Sequence, residues 1–416
     1  MKHLDGRGRP RVVITGIGLK TPAGKTIDTA WDTLLAGKSM AAPIGRFDPV
    51  GLPVRFGCEV GDWDPVPYLG IKESRRVDRN AQLGFAAAAD AIADAGELES
   101  DPARCAVIGA TGIGGIVTLE EQVTLFRDKG PDRVSPFFIP MLMPNATAGL
   151  IAIHFGFTGP NLCIATACAA GANAIGEGVR LIRDGSSEVV IAGGTECPIT
   201  PPAVAAFARM GALSKNNEDP ASASRPFDTD RNGFVLGEGA AFVVLERADR
   251  AEARAARIYG ELAGYGTNSD AFHITAPSEG GAGAAACMQL ALDDSGLTIA
   301  DIKHVNAHGT STTLNDAAEA SALRKVFGDS IPPVTSTKGV TGHLFGAAGA
   351  FEAIVALLSA RKGLVPPTAN HTELAPDVAP LDVVSKTPRS ISPGAALSNS
   401  FGFGGHNATL VIVPFD

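Results

Sequence analysis

The sequence contains no run of about 18 apolar residues, so nothing in it reads as a membrane-spanning helix. Its opening stretch, MKHLDGRGRP, lacks the apolar core of a secretory signal, and a reducing cytoplasm is the expected home. Cysteine is sparse. The six residues at 58, 105, 163, 168, 197 and 287 form no C-x-x-C pair and no Cys/His cluster at zinc spacing. A disulfide framework and a structural zinc site are therefore not expected. Basic charge is in deficit: 35 Lys and Arg stand against 44 Asp and Glu, for a net charge of −9. Phosphate neutralisation needs a net basic surface, which excludes a general nucleic-acid binder and leaves only a local basic patch open. Aromatics amount to 6%, and there is no low-complexity segment or long linker.

What remains is a chain of 416 residues, 45% hydrophobic, with 49 glycines and abundant alanine. Such a composition supports a large core in which small-residue helices pack closely on a sheet. Apolar, β-branched runs mark strands: RVVITGIG, ARCAVIGATG, PNLCIATAC and EVVIAGGTE. The second and third read as buried, with Cys163 in the core. Between them, AQLGFAAAADAIADAG and AAGANAIGEGVRLIRDG have helical periodicity and end at glycine. The second half repeats this grammar with the helix GAGAAACMQLALDDSG, the strand IKHVNAHG, and the helix GAAGAFEAIVALLSARKG. The pattern predicts an α/β sheet covered on both faces, with an internal duplication joined near residues 247–257.

Four segments carry residues suited to chemistry. Cys168 lies between an apolar strand and a helix of small residues, where unpaired N–H groups and the helix dipole are expected to lower its pKa. Ala169, Ala170 and Gly171 leave room for a bulky thioester, although most cysteines in such surroundings are simply small apolar side chains. His308 ends a strand in VNAHGTSTT, the edge where α/β proteins place sites. Lys338 and His343 share one glycine-bounded loop, with Glu352 on the next helix as a partner for the ammonium if it is buried. In NSFGFGGHN, Phe401 and Phe403 sit among three glycines, a backbone able to aim N–H groups at a developing oxyanion. A nucleophile, two imidazoles, an ammonium and a donor loop specify acyl transfer. Hydrolysis needs only one base and a water.

The segments TACAAG, VNAHGTST, STKGVTGHLFGAAGA and NSFGFGGHN together resemble the β-ketoacyl-[acyl carrier protein] synthase family of the thiolase superfamily. The elongating synthases of the type II system are the most similar. ASRPFDTDRNGFVLGEGAAFVVLE, SDAFHITAP and SPFFIP fit as well, so the resemblance runs from Val12 to Val413. It implies a thiolase-like α/β fold of two pseudo-symmetric halves, residues 1–255 and 256–416, in a five-layered αβαβα arrangement. Each half would hold a five-stranded sheet, and two chains would form a homodimer.

The resemblance also implies roles. Cys168 would carry the acyl chain, and His308 and His343 would assist decarboxylation of a malonyl group. Lys338, paired with Glu352, would support the site, and the backbone N–H groups of Cys168 and Phe403 would form an oxyanion hole. Phe403 would gate entry, with Phe401 beside it. Thr310, Thr312 and Thr275 would hold the pantetheine arm, and Asp316 and Glu319 would order the loop behind it. Chain length would be read by residues around Ile113–Val117 and Phe207. Lys72, Arg75 and Arg76 would dock an acidic acyl carrier protein, unless they are an ordinary solvated helix face. No cofactor beyond the carrier's phosphopantetheine, and no metal, is implied.

Three positions depart from the common pattern: His406 in GGHN, Gly211 in FARMGALS, and Ala169–Ala170 after the nucleophile. They touch partner choice and chain preference, and remove no catalytic group. Other readings are a ketosynthase of a type II polyketide or specialised lipid pathway, perhaps in a heterodimer, a non-catalytic partner subunit, and a thiolase or thioester hydrolase. Cys168 opposes the second. A thiolase needs a further cysteine near the C-terminus, and none follows Cys287.

Overall fold

The structure, a computed structural model, describes residues 3–415. Met1, Lys2 and Asp416, the outermost residues of the two expected halves, lie outside the described residues. Ten strands build one mixed sheet: β1 (Val12–Lys20), β2 (Cys105–Ala110), β3 (Asn161–Ile164), β4 (Val189–Glu196), β5 (Gly239–Arg247), β6 (Gly260–Ser269), β7 (Ile302–Asn306), β8 (Val334–Thr335), β9 (Ala395–Gly402) and β10 (His406–Val413). Their spatial order is β8-β7-β9-β10-β6-β1-β5-β4-β2-β3.

That order contains a repeat. From one edge the strands run β3-β2-β4-β5-β1, and from the other β8-β7-β9-β10-β6, the same path shifted by five. Directions match too. In each set the two outer pairings are parallel and the two inner ones antiparallel. The sets meet between β1 and β6 at Val13–Glu261 and Ile14–Gly260. Each set has the five strands expected of a half, and this short contact joins the two sets edge to edge. The chain passes from one set to the other through residues 248–259, which hold the short helix Ala248–Ala253.

Helices α1 (Arg79–Ala95) and α2 (Ala146–Phe155) pack outside the first set of strands. Helices α3 (Ala170–Arg183) and α6 (Ala348–Lys362) pack against each other and against strands of both sets, while α4 (Ala282–Ser295) and α5 (Thr313–Phe327) pack outside the second set. This is a five-layer stack, and strand alternation separates its cores. Val243 faces the middle core while Phe242 and Val244 face an outer one. Leu410 and Ile412 face the middle while Val411 faces the other side.

Local signals explain the helix ends. Asp78 caps α1 by accepting from the Asn80 N–H at 2.8 Å, and Gly96, at φ 76°, ends it. In the middle layer the small residues permit contact between backbones. A Cβ on Gly171 would lie 2.7 Å from the Gly346 carbonyl oxygen, and one on Gly349 would lie 2.7 Å from the Ala172 nitrogen. The N-terminal ends of α3 and α6 therefore meet, and each follows a segment that carries a site residue.

The strand in PNLCIATAC departs from its expected burial. It is the terminal strand β3, with β2 as its one neighbour in the sheet, so Asn161 and Leu162 are exposed and Cys163 is half-buried. Among the described residues, no helix is long and apolar enough to cross a membrane.

Candidate active site

Cys168 sits in a single helical turn, Ala167–Ala169, that leads into α3. Ala167 adopts φ 49°, a strained conformation for a non-glycine residue that presents the next side chain on a sharp bend. The thiol lies at the bottom of a cavity of about 300 Å³ that opens past Met210, Thr275 and Leu314. Its Sγ is 3.0 Å from Nε2 of His343, and the sulfur of Cys168 and one ring nitrogen each of His308 and His343 lie within 4.8 Å of one another. Residues 140 and 175 positions from Cys168 are thereby brought to one point.

The expectation of a depressed thiol pKa is not met. Burial pushes Cys168 up to about 12, against opposing pulls from Lys338 and from the Phe403 N–H hydrogen-bonded to the sulfur, while Glu196 and Glu352 add to the rise. The helix N-terminus and one ammonium do not outweigh removal from water. The resting nucleophile is a neutral thiol.

Both histidines are also neutral. Burial lowers each imidazole well below its ordinary range, and Lys338 lowers both further. His343 has an assigned orientation: the Phe345 N–H donates to Nδ1 at 3.3 Å, so the proton of the neutral ring belongs on Nε2, facing the sulfur. Phe345 stacks on this ring at 4.5 Å with an 8° interplanar angle. The His308 ring meets His343 edge to face at 5.4 Å, and its Nδ1 is buried without a protein partner. By distance the Cys-His-His group could hold a metal. An Nε2–H offers a proton and no lone pair, so the arrangement suits an anionic oxygen better.

Lys338, fully buried, forms an ion pair with Glu352 and donates to the His308 carbonyl oxygen at 2.5 Å. Burial pushes Glu352 up to about 7, with Lys338 pulling it down. Removing either partner would leave a buried group uncompensated, at a cost of about 3–5 kcal/mol. Glu319 accepts from the N–H groups of His308 at 2.9 Å and Gly309 at 2.8 Å, which fixes the loop backbone. Asp316, also buried, accepts from the Phe227 N–H at 2.8 Å.

Most remaining expectations fall around the same cavity. Phe401, Phe403, Thr275, Thr310 and Thr312 line it, and the two threonine hydroxyls of the loop are 2.9 Å apart. Phe401 packs against the His308 ring at 5.9 Å. A Cβ on Gly402 would sit 3.1 Å from the Cys168 nitrogen, so glycine is what lets the gate strand lie on the nucleophile's turn. Gly211 also lines the mouth.

Two groups do not reach it. Phe207 is not part of the cavity wall; it stands behind Phe345, ring to ring at 5.2 Å. Residues 113–117 are likewise absent from the wall, with Ile113 exposed. Of the basic group, Lys72, in the last turn of the helix Val66–Ser74, and Arg75, the residue after it, are exposed. Arg76 is half-buried, with its guanidinium 4.7 Å above the Phe137 ring.

Three positioning residues went unassigned from sequence. Glu196, buried at the end of β4, accepts from Thr111 Oγ1 at 2.8 Å, Ile113 N–H at 3.2 Å and Gly346 N–H at 3.1 Å, tying the two flanking loops together. Arg231 donates to the carbonyl oxygens of Thr312 and Thr313, both at 3.3 Å, behind the threonine loop. Asp270 accepts from Asn407 Nδ2 at 2.8 Å and donates through its own N–H to the Gly405 carbonyl at 2.8 Å. It thereby clasps the SDAFHITAP loop to the gate. Their only sequence signal was an acidic or basic residue inside an otherwise apolar or glycine-rich motif.

Comparison with known proteins gives the family. A family model described as the beta-ketoacyl synthase N-terminal domain matches residues 9–251, and one described as its C-terminal domain matches residues 259–372. The 3-oxoacyl-[acyl-carrier-protein] synthase 2 of Synechocystis sp. is 47% identical over 408 residues, covering 97% of each chain. That of Rhizobium meliloti is 45% identical over 415 residues, covering 97% of this chain and 98% of its own. Among solved structures, the ishigamide ketosynthase/chain length factor superposes with a TM-score of 0.92 at 36% identity, covering 98% of this chain and 100% of that one. AntDE:AntF, a type II PKS acyl-carrier protein in complex with its ketosynthase, superposes with a TM-score of 0.89 at 32% identity, covering 98% and 100%. The fold is thiolase-like, and the chain belongs to the β-ketoacyl synthase family.

Proposed function

We propose that this protein is an acyltransferase of fatty acid elongation, a β-ketoacyl-[acyl carrier protein] synthase. The observation that carries the reading is the meeting of a thiol and two neutral imidazoles at the bottom of one cavity. In the first step Cys168 attacks an acyl thioester. A carbon–sulfur bond forms to the enzyme, the carrier's thiol leaves, and the thiol proton passes to it. The N–H groups of Cys168 and Phe403 hold the oxyanion. In the second step malonyl carrier protein loses CO2, and its thioester becomes an enolate whose oxygen accepts hydrogen bonds from the neutral imidazoles of His308 and His343. The enolate carbon attacks the acyl thioester, the Cys168–acyl bond breaks, and the sulfur recovers a proton from solvent. No cofactor enters this balance beyond the phosphopantetheine that tethers both substrates, with Thr310, Thr312 and Thr275 along its path.

The polyketide ketosynthase reading is weaker. The curated relatives at 43–47% identity are named 3-oxoacyl-[acyl-carrier-protein] synthase 2, whereas the type II PKS ketosynthase structure stands at 32%. A homodimer, in a cytoplasmic setting, completes the proposal. The edge strand β3 and the exposed apolar side chains Ile113, Leu119, Phe126, Ile139 and Leu162 support it, since such edges and patches are normally covered. In the heterodimeric alternative, a related subunit covers this face. The proposed halves remain 1–255, with the nucleophile, and 256–416, with the histidines, lysine and gate.

The acidic carrier must approach an enzyme of net charge −9, which requires segregated basic charge. Lys72, Arg75 and Arg76 are assigned that task, Arg76 through the edge left open above Phe137. Arg75→Glu with Arg76→Glu is expected to lower carrier-dependent turnover by about tenfold while sparing self-acylation by a short acyl-CoA. Steady-state rates with both donors decide it, and equal losses contradict the docking role.

A further inference from the structure

The two sets of strands repeat, and so do the turns that lead into α3 and α6. Cys168 is the middle residue of the turn Ala167–Ala169 ahead of α3, and Gly346 is the middle residue of the turn Phe345–Ala347 ahead of α6. Each turn opens on a non-glycine residue in the left-handed region, Ala167 at φ 49° and Phe345 at φ 47°. The second half thus holds a copy of the nucleophile's bend with glycine at the nucleophile's place. No thiol could stand there, since a Cβ on Gly346 would lie 2.5 Å from the Gly112 nitrogen.

The strands that end before the two bends differ. In the repeat β9 matches β4. β9 ends at Gly402, where a Cβ would crowd the Cys168 nitrogen at 3.1 Å. β4 ends instead at Glu196, whose buried carboxylate accepts from the Gly346 N–H at 3.1 Å. The same carboxylate accepts from the Gly112 N–H, from the Ile113 N–H at 3.2 Å and from the Thr111 hydroxyl at 2.8 Å. Thr111 Oγ1 in turn accepts from the Gly114 N–H at 3.0 Å and from Asn80 Nδ2 at 3.3 Å, so its own proton goes to Glu196. All four partners are donors. Burial pushes the Glu196 carboxyl up from its ordinary range, and these bonds pull against the rise. Phe345, the residue before Gly346, stacks on His343 and donates its N–H to Nδ1 of that ring. The carboxylate therefore holds the backbone one residue from the donor that sets the tautomer of His343.

We infer that Glu196 is a positioning residue for the decarboxylation step. Its carboxylate acts as an internal anion in the second bend and, through the Gly346 N–H, keeps Phe345 where its own N–H fixes His343 as the Nε2–H tautomer. The link to decarboxylation rests on the function proposed above, and the hold on the ring does not.

The test uses full-length protein labelled with 15N at histidine, in which long-range 1H–15N spectra report which ring nitrogen carries the proton. The chain has eight histidines, and His343→Gln assigns the signal. The unsubstituted protein is expected to show His343 as Nε2–H. Glu196→Gln, matched in size, turns an amide NH2 toward donors and is expected to bring the Nδ1–H form into the mixture, with His308 unchanged. Decarboxylation of malonyl carrier protein is expected to fall by about tenfold, short of the roughly 100- to 1000-fold cost of a deleted donor, while Cys168 still loads. Glu196→Asp keeps both acceptor oxygens but withdraws them by one methylene. It is expected to give the same changes at smaller size, and it decides the matter if the Gln chain does not fold. A folded variant that leaves either the Nε2–H signal or the decarboxylation rate unchanged overturns the assignment, and so does an equal loss of loading and decarboxylation. A tautomer that shifts in a protein whose unsubstituted form neither loads nor decarboxylates would overturn the proposed function and leave the hold on the ring standing.

Discussion

Cys168→Ala is expected to leave a folded protein whose condensation rate falls by at least about a thousandfold, because no other group can carry the acyl chain. Among the described residues, the other five cysteines stand outside this cavity wall. Cys168→Gln separates the two half-reactions. Its carboxamide oxygen would occupy the space between the N–H groups of Cys168 and Phe403 that a loaded thioester oxygen would take. The site would then behave as though acylated, with His308 and His343 intact. Release of CO2 from malonyl carrier protein should continue while no 3-oxoacyl product forms. Scintillation counting of released CO2 beside mass analysis of the carrier distinguishes the steps. Product formation at near wild-type rate by either variant would remove Cys168 from the role of nucleophile.

His308→Ala is expected to slow decarboxylation by about 100- to 1000-fold, the usual cost of deleting one donor to a developing oxyanion. Loading of Cys168 should persist, since the acyl step uses backbone N–H groups held by other residues. The pH profile adds a separate check. Burial and Lys338 depress both imidazoles, so each is already neutral throughout the range above its lowered pKa and acts as a donor through its single N–H. Decarboxylation by Cys168→Gln should therefore remain flat between pH 6.5 and about 8, with no loss on the acid side in that interval. A fall through the ordinary histidine range near 6.5 would mean that the site needs a deprotonation that burial has not already achieved. A uniform loss of loading and decarboxylation in His308→Ala would point to collapse of the loop and not to a missing donor.

Much of this site is legible in the sequence because its residues sit in segments whose local chemistry is unusual. A cysteine before small residues, a histidine after an apolar strand and aromatics among glycines each announce a backbone shaped for something other than packing. The repeat was legible only as a grammar of helices and strands. The evidence of duplication proper is the strand order, which is long-range and leaves no trace in spacing. Electrostatics was the least legible part. Proximity to a helix N-terminus suggested a lowered thiol pKa, but the degree of burial decides that competition, and burial is a property of the assembled layers. Phe207 stands ring to ring behind Phe345, a layering that spacing along the chain does not encode. Glu196, Arg231 and Asp270 act by joining loops that are distant in sequence, so their partners could not be named until the loops were side by side. The exposure of β3 follows from its place at the end of the sheet, which its apolar letters do not encode.

The central claim is that Cys168 carries the acyl chain, and intact-mass spectrometry tests it most directly. The protein is incubated with a panel of acyl carrier proteins in the absence of malonyl carrier protein, then digested and mapped. The account predicts a mass increase equal to one acyl group per chain, confined to the peptide containing Cys168 and absent from Cys168→Ala. An acyl group on any other residue, or full product formation with no covalent adduct under any donor, would contradict it.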